Sequence, residues 1–455
     1  MASIDLQSFK AAFRGQVLAS EDAGYDDARK IWNASVDKRP RLIARCAGVA
    51  DVVDAVTFGR TNSLLTAIRG GGHNVGGRGL CDDGMVIDLS RMRSVHVNPA
   101  NSTVLVQGGA TLGDLDRETH IFGLAVPCGI VPKTGIGGLT LGGGVGWLLR
   151  KYGMTIDNLL SCQIVTADGR VLTASPSEHE DLFWALRGGG GNFGVVTSFE
   201  FQARPVRTVL GGLLLHPRNA AIDLIRFFRD YIEGAPDELT AYAALLHAPD
   251  GTPVTGVIAC YCGPIADGER LLQPLRAFGT PILDAIQPMP FPMMQSLLGP
   301  SFPDGNHNYW KSTLQRDLPD EAIAAIVDHA NRMTSPLSAV VLEYYGGAAG
   351  RVPNDATAYP HRDVPWDILF VAQWTDPMQT PAQRDWARSG EDILRPFSSN
   401  AHLLSALDVE SEEVIHTAFG ANLPRLSAVK RRYDAANFFR VNQNIRPELA
   451  QAGTP

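Results

Sequence analysis

The chain has 455 residues, too many for a single hydrophobic core, so two domains are expected. Its residues are 45% hydrophobic and 19% charged, which is the composition of an ordinary soluble globular protein. The net charge of -8 argues against nucleic acid as a main partner, because binding to phosphate backbones needs a basic surface.

Membrane and metal sites are not predicted. No apolar run reaches the ~18 residues that a membrane span needs, and residues 1–20 lack the apolar segment of a signal peptide. The six cysteines have no CxxC spacing, which favours free, buried thiols in a reducing cytoplasm. We therefore expect a cytoplasmic protein whose partner is a small-molecule substrate. The oligomeric state stays open.

The first predicted elements lead into a glycine-rich loop. A strand at 40–46, an amphipathic helix at 49–60 and an apolar strand at 64–68 precede Arg69-Gly70-Gly71-Gly72-His73-Asn74. Three glycines let the backbone turn sharply and bring several N–H groups close to one anion. The following residues, 75–84, have loop composition, so a Rossmann helix is excluded while phosphate binding is retained. His73 is left as a nucleophilic side chain on the loop.

Strands and helices alternate after this loop. The pattern predicts strands at 85–89, 104–109, 162–166 and 195–201, and helices at 112–120 and 181–186. Two further glycine blocks lie at 127–146 and 187–194. So many glycines near the first loop indicate a ligand that lies along the backbone, with no room for side chains.

The remainder of the chain predicts a second α+β unit. Helices are expected at 220–234 and 320–333, and strands at 254–262, 339–345 and 366–374. The tail at 433–445 is too apolar and aromatic for a loose terminus, so it should pack back on the first domain.

Seven segments, in order, carry a resemblance to one family. They are RGGGHN at 69–74, TGIGGLTLGGGVGW at 134–147, RKYG at 150–153, DNLLS at 157–161, VTADGR at 165–170, RGGGGNFGVVT at 187–197 and RRYDAANFFRVNQNI at 431–445. Together they resemble the bacterial berberine-bridge-enzyme-like flavoproteins of the vanillyl-alcohol-oxidase superfamily. The resemblance spans nearly the whole chain.

The resemblance implies an α+β fold with a two-part PCMH-type FAD-binding domain at 1–205. A substrate domain at 206–425 would place an antiparallel sheet over the flavin, and segment 426–455 would return to the first domain. It also implies a covalent bond from His73 to the flavin, and a neutral imidazole is a competent nucleophile for that bond. The pyrophosphate of FAD, rather than FMN, would rest on residues 70–73, where a Cβ at Gly71 would occupy the phosphate position.

The resemblance carries a set of cofactor-binding residues onto this sequence. Beside His73 they are Arg69, Gly70, Gly71, Gly72, Asn74, Val75, Gly77, Val131, Thr134, Gly135, Gly137, Gly138, Leu139, Gly142, Gly144, Gly146, Asp157, Asn158, Gly191, Asn192, Gly194, Val195, Val196 and Asn442.

The chain departs from the family pattern at three positions. Val131 stands where many relatives have a second flavin-linking cysteine, and Cys128 lies three residues too early, so a single covalent bond is expected. Val145 replaces an active-site tyrosine of plant members, and residues 401–406 lack the tyrosine of a YxN motif. A space for O2 beside the flavin is lined in this branch of the family by residues that correspond to Val131, Thr134 and Leu139. The other interpretation is that these three side chains only pack in the core.

Hydride transfer from a carbinol carbon leaves a proton to remove, so a base is expected near the flavin. Tyr345 and Glu343 occupy alternate positions of one strand and share a face, and they form the leading pair. His402 could replace the lost tyrosine. His361 resembles a recurrent family motif, and fixing a loop is its other interpretation.

Three functions remain open from the sequence. The first is an oxidase that takes a hydride from a hydroxyl-bearing substrate and passes the electrons to O2 to give hydrogen peroxide. The second is a biosynthetic flavoenzyme that dehydrogenates or oxygenates a natural product. The third is a catalytically silent FAD-binding protein, which the missing tyrosines motivate.

Overall fold

A computed structural model describes residues 6–399, 401–403 and 411–447, and it confirms the α+β class. The strands are β1 (Gln16–Ala19), β2 (Leu42–Arg45), β3 (Thr66–Arg69), β4 (Met85–Asp88), β5 (Val95–Asn98), β6 (Thr103–Gln107), β7 (Leu124–Ala125), β8 (Leu159–Val165), β9 (Val171–Ala174), β10 (Val195–Gln202), β11 (Arg204–Pro205), β12 (Thr208–Pro217), β13 (Leu239–His247), β14 (Pro253–Tyr261), β15 (Leu283–Asp284), β16 (Gln287–Pro290), β17 (His307–Gln315), β18 (Ala339–Tyr344) and β19 (Trp366–Trp374).

The helices are α1 (Leu6–Ala12), α2 (Tyr25–Ala28), α3 (Val49–Thr61), α4 (Leu112–His120), α5 (Ile136–Leu141), α6 (Leu149–Tyr152), α7 (Glu180–Leu186), α8 (Ala221–Glu233), α9 (Ile265–Arg276), α10 (Phe291–Ser296), α11 (Asp320–Ala330), α12 (Thr380–Leu394), α13 (Glu412–Phe419) and α14 (Leu423–Tyr433). None of the helices in the described ranges is long and apolar enough to cross a membrane. All six cysteines are free thiols.

Two larger sheets form the N-terminal half, beside a short antiparallel pair of β7 and β11. The first has the order β1-β2-β4-β3, and β2, β4 and β3 run parallel. The second is antiparallel, with the order β5-β6-β10-β8-β9. Helix α3 packs between them, because its buried face (Val52, Ala55 and Val56) contacts the core of both sheets. The first glycine loop begins where β3 ends.

The C-terminal half is built on one large antiparallel sheet, with the order β15-β12-β14-β13-β18-β19-β17 and β16 beside β12. Side chains alternate between its faces. The outer face, with Leu342, Ile368 and Phe370, is buried under α8, α9, α11 and α12. The opposite, inner face carries Tyr242 and Tyr345 and packs against residues 145–156 of the N-terminal half. Any group held between the halves therefore meets this inner face.

The tail returns to the N-terminal half through a buried lysine. Lys430 is fully buried on α14, and its Nζ donates to the carbonyls of Asn192 and Phe439 at 2.7 and 2.8 Å. It also pairs with Asp434 at 2.6 Å. Because buried charges are stable only when paired and hydrogen-bonded, these contacts fix the tail against the third glycine block.

Helix α5 was not predicted, because its segment lies within the second glycine block. Glycine disfavours helix interiors, yet a Cβ at Gly137 would lie 2.7 Å from the carbonyl oxygen of Gly108. Close packing of this helix on a neighbouring loop therefore requires glycine. Strand β17 was also missed, because its polar residues, such as Asn308 and Ser312, are buried on the sheet instead of marking a loop.

The contact between α4 and α10 buries a carboxyl group. Asp116 is 3% exposed, accepts a 3.2 Å hydrogen bond from Gln295 Nε2, and has no partner for its Oδ1 among the described residues. Burial raises the pKa of Asp116 to about 7. The group is thus partly protonated at neutral pH, on a wall of a cavity of about 310 Å³ between the two halves.

Asp116→Asn should make the protein more stable at pH 8 than the wild type. The folded pKa lies above the unfolded value, so the carboxyl binds its proton more tightly in the folded state. The stability that this tighter proton binding gives the folded state is fully present below about pH 4. It is lost as the pH rises to about 7, which lowers the free energy of unfolding by about 4 kcal/mol. Chemical unfolding at pH 5 and pH 8 measures this difference. Asp328→Asn, at an exposed ion pair, is the control. If the stability of Asp116→Asn changed with pH as that of the wild type does, the raised pKa assigned to Asp116 would be wrong.

Candidate functional site

The first glycine loop presents unpaired backbone donors. The N–H groups of residues 70–74 donate to no atom of the described part of the chain. A Cβ at Gly71 would lie 2.5 Å from both the N and Cα atoms of Gly135. The expectation that this Cβ would fill a phosphate position is therefore wrong. Gly71 is required because the first loop crosses the second glycine block at backbone distance.

His73 lies on this loop with its ring against an indole. The ring centroids of His73 and Trp32 are 4.2 Å apart, and the planes are inclined by 13°. His73 Nε2 is buried and has no hydrogen-bond partner among the described residues. Burial lowers the pKa of His73 to about 4, so the imidazole is neutral at pH 7. A neutral imidazole with an unsatisfied nitrogen is suited to nucleophilic attack.

Other predicted residues of this loop have internal partners. Arg69 pairs with Asp88 at 2.5 Å and also donates to the carbonyl of Ala28, so its guanidinium does not face a ligand. Asn74 Oδ1 accepts from the N–H of Arg78 at 3.1 Å. The carbonyl of Val75 accepts from Asn33 at 2.7 Å, and a Cβ at Gly77 would meet Val36. The side chains of these residues therefore hold the shape of the loop. The groups that are free to bind a ligand are the backbone N–H groups of residues 70–74.

The predicted residues of the second glycine block divide into packed and open positions. Val131 is buried, and the N–H of Thr134 donates to its carbonyl at 3.0 Å. Leu139 is partly buried among core residues. A Cβ would collide with surrounding atoms at some glycines but would meet nothing within 3.4 Å at others. The colliding set is Gly135, Gly137, Gly144 and Gly146, and the open set is Gly138 and Gly142.

Asp157 and Asn158 hold structure together between the second block and β8. Asp157 receives two 2.8 Å hydrogen bonds from the guanidinium of Arg362. Asn158 Nδ2 donates to the carbonyls of Tyr152 and Met154 at 2.9 and 3.0 Å. Both side chains therefore fix the loop that ends in β8, and neither is free for a cofactor.

The third glycine block meets the tail. Asn192 donates to the carbonyl of Gln443 at 3.1 Å and accepts from the N–H of Ile445 at 3.0 Å. Asn442 Nδ2 donates to the carbonyl of Gly191 at 3.1 Å, while its buried Oδ1 has no partner among the described residues. A Cβ at Gly191 would meet nothing within 4 Å. Gly194, where a Cβ would meet Val165, precedes Val195 and Val196 at the start of β10.

An acidic group lies on the inner face of the large sheet. The hydroxyl of Tyr345 is 2.5 Å from Glu343 Oε2 and 2.9 Å from Asp367 Oδ2. The hydroxyl of Ser312 donates to Asp367 Oδ1 at 2.6 Å. Glu343 and Asp367 face each other across β18 and β19 in the strand register. The predicted pair, Tyr345 and Glu343, thus meets as expected, and Asp367 and Ser312 join it.

The geometry requires a proton on one carboxyl group. A tyrosine hydroxyl has one proton, so it donates to only one of Glu343 and Asp367, and the other must donate to the phenol oxygen. Burial raises the pKa of both carboxyls, and the charge of Asp367 raises that of Glu343 further. Burial and both carboxylates also raise the Tyr345 pKa well above its ordinary value. Glu343 is therefore the protonated partner, and Tyr345 stays a neutral phenol.

Tyr345 also borders the second glycine block. It shares with Val145 a cavity of about 10 Å³, the size of one water molecule. The other residues around this cavity are Leu149, Met154, Ala349, Tyr359, His361 and Arg362. Tyr345, which belongs to the C-terminal half, therefore lies next to Val145. Val145 is the residue that replaces the tyrosine of plant members.

Both histidine candidates lie near this group: His361 lines the same cavity as Tyr345, and His402 lies between Ala401 and Leu403, which pack in the same cluster as Tyr345. His361 Nε2 contacts the carbonyl oxygen of Ala418 at 3.0 Å, which agrees with fixing a loop. His402 Nδ1 is 4.0 Å from Glu391 on α12, in the helix layer of the outer face. His402 as the proton-accepting base stays a prediction. Residues 404–406 of the expected YxN region lie outside the described residues.

An aromatic chain joins His73 to the inner face. Trp32, stacked on His73, meets the edge of Trp310 at a centroid distance of 5.6 Å. Trp310 and Ser312 lie two residues apart on β17 and so share one face of the sheet. The imidazole and the acidic group therefore border the same region between the halves.

Sequence reasoning missed Asp367, Ser312 and Trp32. One signal was available for Asp367, which is the only charged residue of β19. Ser312 lies in a polar strand and Trp32 in an irregular segment, so neither had a recognisable pattern.

The residues present fit a flavin dinucleotide. Unpaired N–H groups at 70–74 suit a pyrophosphate, and His73 has an unsatisfied nitrogen in a buried position. The described residues contain no group of three side chains that could hold a metal ion.

Comparisons with known proteins agree with this fit. The family described as FAD binding domain matches residues 40–175, and the family described as berberine and berberine like matches 406–446. A FAD-linked oxidoreductase of Dictyostelium discoideum is 32% identical, with 97% of each chain covered. The chain belongs to the berberine-bridge-enzyme-like family. This berberine-bridge-enzyme-like protein is an FAD-linked oxidoreductase of the vanillyl-alcohol-oxidase superfamily.

Two further similarities concern one kind of oxidase within the berberine-bridge-enzyme-like family. (R)-6-hydroxynicotine oxidase from Paenarthrobacter nicotinovorans is 33% identical over 96% of this chain and 98% of its own length. The crystal structure of 6-hydroxy-D-nicotine oxidase from Arthrobacter nicotinovorans has a TM-score of 0.89 at 32% identity, covering 96% of this chain and 99% of that chain. The fold of this family member, a PCMH-type FAD-binding region with an antiparallel sheet above it, is thus the predicted one.

Proposed function

We propose that this FAD-linked oxidoreductase is an oxidase that takes a hydride from a hydroxyl-bearing sugar, alcohol or secondary metabolite and passes the electrons to O2, giving H2O2. We further propose that His73 alone holds the FAD covalently. The observation that carries the oxidase proposal is the Tyr345 hydroxyl held between two buried carboxyl groups at 2.5 and 2.9 Å. Such a group accepts a proton, which oxidation of a carbinol releases.

Bound FAD supplies the hydride acceptor and returns the electron pair to O2. The chain supplies the proton acceptor. Because Glu343 is the protonated partner, Asp367 is the ionised carboxylate of the group. A substrate hydroxyl that bonds to Tyr345 loses its proton to the phenol oxygen as Tyr345 releases its own to Asp367. Tyr345 is a relay in this scheme, since a neutral phenol with a raised pKa is not itself the base.

Burial makes this group effective. Tyr345, Glu343 and Asp367 are each less than one-tenth exposed, so bulk water does not compete for their hydrogen bonds. Hydrogen bonds and charges act more strongly in such a low-dielectric environment. The hydrogen bonds from Ser312 and Tyr345 favour the ionised form of Asp367, because they lower its pKa against the effect of burial.

The proton-accepting group favours an active enzyme over a silent FAD-binding protein. A protein that bound FAD only for structure would have no use for two carboxyl groups buried without a cation beside them, since burying them is costly. The name of the relative (R)-6-hydroxynicotine oxidase supports an oxidase over an oxygenase.

Anaerobic mixing with candidate substrates tests this proposal. Purified holoprotein is mixed with sugars, primary and secondary alcohols and hydroxylated aromatic compounds, and flavin absorbance is followed. We expect at least one hydroxyl-bearing class to bleach the flavin, and the matching deoxy compound to leave it oxidised. If amines bleach the flavin while every hydroxyl compound fails, the substrate class is wrong. If no compound reduces it although dithionite does, the silent interpretation gains support.

A further inference from the structure

We propose that Trp32 is a positioning residue for the covalent attachment of FAD, because its indole holds the His73 imidazole in the orientation for attack. The inference rests on the proposed function, which names His73 as the attachment point. The two rings are stacked, with centroids 4.2 Å apart and planes inclined by 13°. An offset or parallel arrangement at this distance is favourable and restricts rotation of the smaller ring.

The indole itself is fixed from several sides. Trp32 is 4% exposed, and its Nε1 donates to the carbonyl of Phe302 at 3.1 Å. Its backbone N–H donates to the carbonyl of Gly72 at 3.3 Å, and its own carbonyl accepts from Gly305 at 3.2 Å. The edge contact with Trp310 closes another side. Trp32 therefore has little freedom to follow a motion of His73.

Asn33, the residue after Trp32, forms hydrogen bonds with both halves of the protein. Asn33 Nδ2 donates to the carbonyls of Val75 and Asn308 at 2.7 and 2.9 Å, and its Oδ1 accepts from the N–H of Asn308 at 2.9 Å. Asn33 is 1% exposed. The segment 32–33 is thus bonded to the His73 loop on one side and to β17 on the other.

His73 needs such support, because its own loop gives little. It follows three glycines, and Gly72 has a positive φ of 67°, so the loop backbone does not itself restrict the ring. His73 Nε2 has no hydrogen-bond partner among the described residues. The stacked indole therefore restrains the imidazole where neither the loop backbone nor a hydrogen bond to Nε2 does so.

The attachment step balances without another protein group. One C–N bond forms between an imidazole nitrogen and the 8α carbon, while one N–H bond of His73 and one C–H bond of the methyl group break. Two protons leave to solvent, and the two electrons stay on the flavin until O2 takes them and becomes H2O2. Burial keeps the His73 pKa near 4, so the nitrogen lone pair is available. A misplacement of about 1 Å can slow such a step by up to roughly 10²-fold.

The experiment follows attachment directly. Apoprotein from a riboflavin-starved host is mixed with FAD, and samples are precipitated with acid over time to count covalently held flavin. Wild type, Trp32→Leu and Trp32→Phe are compared, and FAD retained on a desalting column before acid treatment measures non-covalent binding. We expect Trp32→Leu to bind FAD but attach it roughly 10- to 100-fold more slowly, and Trp32→Phe to restore the rate.

Each other outcome is informative. Attachment by Trp32→Leu at the wild-type rate would overturn the inference, as would slow attachment by Trp32→Phe. If Trp32→Leu retains no FAD before acid treatment, Trp32 is a structural residue and the positioning role is wrong. Release of all flavin by acid-treated wild type would instead contradict the covalent bond to His73, and with it this part of the proposed function.

Discussion

Asp367→Asn should slow substrate-dependent reduction of the flavin by ~10²–10⁴-fold, which is the usual effect of losing a general base. Asparagine keeps the size and can still accept the hydrogen bond from Ser312, but it cannot take up a proton. The proposed covalent attachment and the visible spectrum of the flavin should stay unchanged, because Asp367 lies on the sheet and not on the glycine loops. Anaerobic stopped-flow absorbance measures the reduction rate.

Two tyrosines provide matched variants for this experiment. Tyr345→Phe removes the relay and should also slow reduction strongly. Tyr344→Phe should not, because Tyr344 packs against Trp366 on the other face of the sheet. If Asp367→Asn and Tyr345→Phe both reduce their flavin at the wild-type rate, the acidic group does not accept the substrate proton.

The pH profile should move in Ser312→Ala. In the proposed scheme the ionised form of Asp367 accepts the proton, so the reduction rate of wild type should rise as pH increases through the apparent pKa of the group. The Ser312 hydrogen bond lowers the Asp367 pKa, and its loss should move this rise to higher pH without lowering the plateau. An unchanged profile would show that another group controls the rate.

His73→Ala should abolish covalent attachment completely. No other nucleophile is predicted at the flavin, since Val131 stands at the second attachment position. Acid precipitation should leave the variant colourless and its flavin in the supernatant, whereas the wild-type pellet stays yellow. Tryptic digestion should place the flavin of wild type on the peptide that contains His73.

Cys128→Ala is the control for this prediction. Cys128 is buried and contacts Gln295, and burial raises its pKa, so it is a poor nucleophile. Its replacement should leave attachment at the wild-type level. Covalent flavin in His73→Ala, or its loss in Cys128→Ala, would show that the attachment point is assigned wrongly.

Local sequence patterns predicted the elements that depend on local interactions. Helix α4 has its predicted bounds because Thr111 and Asp114 form a capping box at its start. Strand β19 has its predicted bounds because its run is almost wholly apolar. The glycine loop and His73 could also be predicted, because the motif that marks them is short and continuous in the sequence.

The acidic group could be predicted only in part. Glu343 and Tyr345 are two residues apart, so their shared face follows from the period of a strand. Asp367 and Ser312 come from other strands, and the register that brings them together depends on pairing between distant segments. Trp32 reaches His73 through tertiary hydrogen bonds to Phe302 and Gly305, which a single sequence does not reveal.

The most direct test of the central proposal is the reaction of the reduced holoprotein with O2. Wild type is reduced anaerobically with one equivalent of its substrate and then mixed with oxygenated buffer, while flavin absorbance and peroxide are measured. The oxidase proposal predicts that the oxidised spectrum returns within the time of one turnover, with one H2O2 per flavin. A flavin that stays reduced, or a product that has gained an oxygen atom in place of the peroxide, would contradict it.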